Sequence, residues 1–225
     1  MKYAAVPVAD YGKHETISAG QKLVHFIRHA EGHHNVAGEK DWEEYKNDKY
    51  EDALLSEKGM IQCRNVASQL TTNTEARILQ SEVVITSVMR RCLQTASYSF
   101  PMLIDKVSWE ASELCREMTG QHPCDRRVTK TESYAMFGHI NFEKIVEEED
   151  PLYWKWGGNR EPDEDMKQRC LDFLDFMFDK EEREILVCTH SAILSHLIPL
   201  MVNGSFSSYR NAEIRSYIIQ PVSNE

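Results

Sequence analysis

Three short, nearly unbroken apolar runs, Leu23–Ile27, Val83–Thr86 and Ile185–Thr189, constrain this chain more than any other feature. A strand with one face in water alternates polar and apolar residues, whereas a continuous apolar run suits a strand covered on both faces. Ser216–Gln220 reads as a later strand and Val107–Glu110 as a weaker one. Helical patterns lie between them. Leu55–Leu70 opens on Ser56, a good N-cap, and sets Met60, Cys63, Val66, Ala67 and Leu70 on one stripe. Arg90–Phe100 is a second helix, and Asp163–Lys180 a third with Met166, Cys170, Phe173, Leu174 and Met177 at helical spacing. Ala192–Met201 is a fourth, kinked or ended by Pro199. Strands alternating with helices predict an α/β fold, a three-layer α/β/α sandwich around a mostly parallel central sheet. The 225 residues suit one such domain, and no Gly/Ser/Pro-rich linker divides them. The expectation is a single domain over 1–225, with 1–21 as an N-terminal extension.

Composition narrows the function classes. With 41% hydrophobic residues and 28% charged, disorder is excluded. Lys+Arg 26 against Asp+Glu 36 gives a net charge of −10, a surface that repels phosphate backbones and anionic lipid, so no general nucleic-acid or membrane partner is expected. One local basic pocket is still compatible with that sum. The longest stretch free of Asp, Glu, Lys and Arg, Thr189–Ser208, holds His190, His196, Pro199, Asn203 and Gly204 and does not read as a membrane span. The first twenty residues lack the apolar segment of a secretion signal, and the six cysteines form no Cys-x-x-Cys pair. They read as reduced thiols, and a cytoplasmic location is expected.

In open α/β sheets chemistry gathers beyond the carboxyl ends of central strands. After the first run comes Arg28-His29-Ala30-Glu31-Gly32-His33-His34-Asn35; after the second, Ser87-Val88-Met89-Arg90-Arg91, continuing to Thr95-Ala96; after the late one, His190-Ser191. Guanidinium forks hold phosphate oxygens bidentately. A neutral imidazole between them can attack phosphorus, and a second histidine can stabilise the charge on the transferring phosphoryl group.

With those residues in place, the sequence resembles the histidine phosphatase superfamily, in its phosphoglycerate-mutase-like branch, from Leu23 to about Ile219. The resemblance rests on four pieces in order. They are Arg28-His29-x-Glu31 with Asn35, then Leu55-Ser56-x-x-Gly59-x-x-Gln62, then Thr86-Ser87-x-x-x-Arg91-x-x-x-Thr95-Ala96, and last Thr189-His190-Ser191. Ala30, Val88 and Ser191 stand where Gly, Pro and Gly are usual, which implies altered loop geometry rather than lost chemistry. The resemblance implies a phosphoglycerate-mutase-like fold and a phosphohistidine on His29. It implies phosphoryl oxygens held by Arg28, Arg91 and His190, with Asn35 as a further donor. His190 also counts among the catalytic residues, and the general acid is a carboxylate just after the third strand. Glu117 fits that pattern better than Glu113. Arg126 and Arg127 are candidates for a second anionic group of the substrate, and specificity is expected in the stretch from about Gly120 to Pro162.

The implied activity is metal-independent phosphomonoester hydrolysis of a small phosphorylated substrate, without cofactor. A phosphoglycerate-type mutase is the alternative, and a catalytically dead phosphate-binding module the third reading. His29, His33 and His34 could instead suggest a metal site, but the chain has neither His-Glu-x-x-His nor a His-x-His-x-Asp-His cluster, and no metal is expected. Gly-x-Ser-x-Gly and nucleotide-loop motifs are also missing. The acidic run Glu147–Asp150 reads as a solvated face, and Trp154 and Trp156 as packing residues. His14, His25, His122, His139 and His196 read as structural or exposed.

Overall fold

Alternation along the apolar runs divides the core in two. On one side of the sheet Val24, Phe26, Val83, Ile85, Ile185 and Val187 pack with Met166, Cys170, Phe173, Leu174 and Met177, and with Ile193, Leu194 and Leu197. On the other side Ile27, Val84, Leu186 and Cys188 pack with Val66, Leu70, Cys92, Leu93 and Ala96. Period-two side chains on doubly covered strands require this arrangement. The computed structural model describes residues 2–73 and 75–222.

The strands are β1 (Tyr3–Val8), β2 (Lys22–Arg28), β3 (Val83–Ser87), β4 (Ser108–Ser112), β5 (Glu184–Thr189) and β6 (Ile214–Pro221). They form one sheet in the order β1-β6-β2-β5-β3-β4. The pairs β2–β5, β5–β3 and β3–β4 are parallel, and β6 runs antiparallel to both β1 and β2. The α/β sandwich is therefore as expected, with a mixed sheet whose parallel part is central. Residues 1–21, expected to be an extension, instead contribute an edge strand. Tyr3–Val8 pairs along β6, and the Tyr3 hydroxyl donates to Asp175 at 2.6 Å. The sequence hid this strand because Pro7 interrupts it, and proline is tolerated only where the ladder can spare a donor, as at an edge.

The helices are α1 (His33–Gly38), α2 (Glu57–Thr72), α3 (Arg90–Ser99), α4 (Lys130–Met136), α5 (Asp163–Phe178) and α6 (Ser191–Leu197). Ser56 caps α2, its hydroxyl accepting from Gly59 N at 3.0 Å. The last helix is shorter than its pattern suggested. It ends at Leu197 and tightens into a 3-10 turn over Ile198–Leu200 around Pro199. Trp154 does not pack as expected, being 63% exposed. The acidic run 147–150 is more than a solvated face. The carbonyls of Glu147, Glu148 and Glu149 wrap the Arg127 guanidinium, and the Asp150 carboxylate binds the buried Arg116 at 2.6 Å.

Candidate active site

Because β5 lies between β2 and β3, the segments leaving their carboxyl ends converge. Backbone pairing carries on past the strands, with His29 N donating to Thr189 O at 2.8 Å. The imidazoles of His29 and His190 come to 5.1 Å between centroids, inclined at 61°. Both are buried. Burial, reinforced by the Arg91 charge, holds each well below the usual histidine range, so both rings are neutral near pH 7. Nδ1 of His29 lies 2.7 Å from the Ala30 carbonyl. A carbonyl can only accept, so the proton sits on Nδ1 and the lone pair on Nε2.

Two guanidinium groups flank this ring. Arg28 donates to the Tyr209 carbonyl at 2.7 Å, using one of its five donors. Arg91, 1% exposed, donates to the Cys124 carbonyl at 2.6 Å and to Asp125 at 2.9 Å. Each leaves a buried Nε without an acceptor among the described residues. His190 Nε2 is 2.7 Å from the Ser87 hydroxyl and 3.3 Å from Cys92 Sγ. Asn35 accepts the Gly32 N–H on Oδ1 at 2.9 Å, and its side chain is also hydrogen-bonded to Tyr45.

Arg28 and Asn35 face a cleft of about 340 Å3, whose wall also includes Glu117, Asp125, Arg160 and Ser191, while His29, Arg91 and His190 lie buried behind it. Glu117 Oε1 accepts from Met118 N and Ala192 N, both at 3.0 Å, and so ties the residues after β4 to the start of α6. Surrounding protein, and then the Asp125 charge, push its carboxyl above the usual carboxylate range. Glu113 lies elsewhere, in ion pairs with Arg116 and Arg127, each at 2.8 Å.

The two arginines expected to meet a second anionic group do not reach the cleft. Arg127 spends its donors on Glu113 and on the carbonyls of Val128, Glu147, Glu148 and Glu149, and it is 3% exposed. Arg126 pairs with Glu51 at 2.6 Å and lies over the Tyr153 ring. The cation on the outer wall is Arg160, bonded through Nη1 to Gly120 O at 3.0 Å and to Asp125 at 2.7 Å. His33 is exposed and away from the cleft, so it cannot share a ligand with His29. Among the described residues no group of three or more His, Cys, Asp or Glu side chains is gathered as a metal site. His122, expected to be structural or exposed, lines the cleft with Trp42, Tyr45 and His34. The 39–54 loop carries no chemical motif, so the sequence offers no signal for Trp42 or Tyr45.

The family model of the histidine phosphatase superfamily, branch 1, matches residues 24–218. The chain belongs to that superfamily. Among curated relatives, this histidine phosphatase superfamily member is 34% identical to a phosphoglycerate mutase-like protein of Arabidopsis thaliana, over 88% of this chain and 84% of that one. It is 29% identical to phosphoglycerate mutase-like protein 1 of the same plant, over 88% and 81%. Its fold is shared with the α-ribazole phosphatase of Shigella flexneri, at a TM-score of 0.58 and 16% identity over 86% of this chain and 89% of that one. A mycobacterial glucosyl-3-phosphoglycerate phosphatase gives a TM-score of 0.54 at 15% identity, over 87% and 89%. No helix among the described residues is long and apolar enough to cross a membrane.

Proposed function

We propose that this chain is a phosphomonoester phosphatase that works through a phosphohistidine on His29. One observation carries the reading. A buried neutral imidazole, its Nδ1 proton held by the Ala30 carbonyl, stands beside two arginines with donors to spare. Nε2 attacks phosphorus, the bond to the ester oxygen breaks, and the Glu117 carboxyl gives that oxygen its proton. Water then attacks the phosphohistidine while Glu117 takes back a proton, and the P–N bond breaks to release phosphate. Arg28, Arg91, Asn35 and His190 hold the equatorial oxygens through both steps. Since the Arg28 and Arg91 guanidiniums supply the countercharge, no ion is required, and chelators should leave the rate unchanged. We further propose that residues 1–225 act as one unit on a small phosphorylated substrate in a reducing, cytoplasmic setting, in keeping with six free, buried cysteines.

The names of the curated relatives favour a mutase as the second reading. Against it stands the outer wall, where Arg160 already serves Asp125 and, among the described residues, no arginine beyond Arg28 and Arg160 lines the cleft to meet a phosphoglycerate carboxylate. The deciding experiment uses glycerol phosphate and the two phosphoglycerates. Wild type should release phosphate, carry acid-labile phosphate trapped on quenching, and interconvert 2- and 3-phosphoglycerate negligibly, even with bisphosphate primer. His29→Ala should lose both turnover and label. Residual activity within about tenfold would remove His29 as nucleophile, since a covalent nucleophile contributes far more.

A further inference from the structure

A series of rings leads from buried His29 to the cleft, which His34, Tyr45, Trp42 and His122 line. His29 is 5.7 Å from His34 between centroids, His34 is 6.1 Å from Tyr45, and Tyr45 is 4.8 Å from Trp42. His122 stacks on Tyr45 at 5.7 Å and 25°, and meets Trp42 edge-on. The series begins at the nucleophile and ends in solvent, with Trp42 64% exposed at the mouth. An indole left this open is among the largest exposed apolar surfaces of the chain, and covering it is favourable.

The one carboxylate of the outer wall beyond Glu117 is already paired. Asp125 is shared by Arg91 and Arg160, and His122 is held below the usual histidine range by burial and by Arg160, so it adds no charge. His34 is buried, is neutral for the same reason as His29, and has no hydrogen bond to Nδ1 among the described residues. Beyond the phosphoryl pocket the cleft therefore offers flat faces and one cation, Arg160, which is already paired with Asp125. A compact substrate with a second carboxylate gains little there, while a flat uncharged ring gains stacking at Tyr45, His122 and Trp42.

We propose that the preferred substrates are phosphomonoesters whose alcohol carries a planar uncharged ring, seated on Tyr45, His122 and Trp42 while the phosphoryl group lies at His29. The proposal rests on the phosphatase reading for the word substrate, and its test is a binding measurement that needs no turnover. Benzylphosphonate and cyclohexylmethylphosphonate carry the same anion and the same number of carbons and differ in whether the ring is flat. Calorimetric titration of wild type should give benzylphosphonate the lower Kd by about fivefold, the size of one aromatic contact. That preference should fall to within about twofold in Trp42→Ala, whose exposed site tolerates truncation, and in Tyr45→Leu. Equal binding in wild type overturns the proposal, as does a preference that survives both substitutions, or failure of both ligands to bind. Phosphate release from glycerol phosphate, measured alongside, reports on the hydrolytic reading separately. Its loss with the ring preference intact would remove hydrolysis and leave the ring site standing.

Discussion

Glu117 and Glu113 show how four positions in one loop separate a carboxyl that lines the cleft from one held in ion pairs. Glu113 is neutralised by Arg116 and Arg127, whereas Glu117 lines the cleft beside the Asp125 charge. If Glu117 is the acid, Glu117→Gln should slow esters with poor leaving groups by about 10²–10⁴-fold and activated aryl phosphates far less. A matching pattern in Glu113→Gln instead would transfer the role. Burial and then the Asp125 charge raise the Glu117 carboxyl, and the proposed acid works protonated, so activity should fall as pH rises through its titration. Asp125→Asn removes that charge and should move the alkaline limb of the kcat profile to lower pH. A limb that stays in place would uncouple the two carboxyls, whatever happens to the rate through Arg91.

At the scale of elements, the motif residues that do no chemistry hold the His29 turn against two helices. Glu31 accepts from Ser56 Oγ and Lys58 Nζ, both at 2.7 Å, and its N–H donates to Gln62 at 2.8 Å. The Thr95 hydroxyl accepts from Ala30 N at 2.9 Å, and Gln94 from Leu55 N at 2.8 Å. Gly59 is glycine because a Cβ there would overlap the Glu31 carbonyl oxygen. Gly59→Ala must push α2 away from the turn, at about 1–3 kcal/mol, and lower Tm by roughly 2–4 °C for each of these in a chain this size. Turnover should fall with it, because the displaced turn carries His29. Unchanged Tm and unchanged kcat/KM would show that α2 and the turn move independently.

For the whole molecule, folding buries four histidines in the neutral state: His25, His29, His34 and His190. His25 lies inside β2, its Nδ1 2.7 Å from Ser216 Oγ, and burial pushes it down to about 3. Between its ordinary range near 6.5 and that value the unfolded chain binds a proton that the native chain refuses, so stability is lost as pH falls through this window. From pH 7 to pH 5 the loss from His25 alone should be on the order of 2 kcal/mol. Urea unfolding of wild type and His25→Gln at the two pH values measures it. The variant should lose less on acidification, and parallel losses would place the acid lability in the other three rings.

What the sequence determined by itself was the local code: apolar runs that need two covered faces, helix stripes with their Ser56 cap, and strand ends bearing Arg28, His29, Arg91 and His190. Each follows from a chain period or a short spacing, which is why the parallel core and the residues around His29 could be read directly. β1 and the aromatic wall could not. Tyr3–Val8 becomes a strand only because β6 offers it an open edge. Trp42 and Tyr45 come from one short turn, His122 and Arg160 from two other loops, and the three segments meet only when the fold closes. The same holds for Arg126 and Arg127. In sequence they are two cations after a candidate acid, and in the folded chain the nearest acceptors take them first, Glu51 the one and the 147–149 carbonyls the other. Whether a guanidinium is free for a ligand depends on which acceptors the fold brings within hydrogen-bond reach, and that is a property of three-dimensional neighbours, which spacing along the chain does not encode.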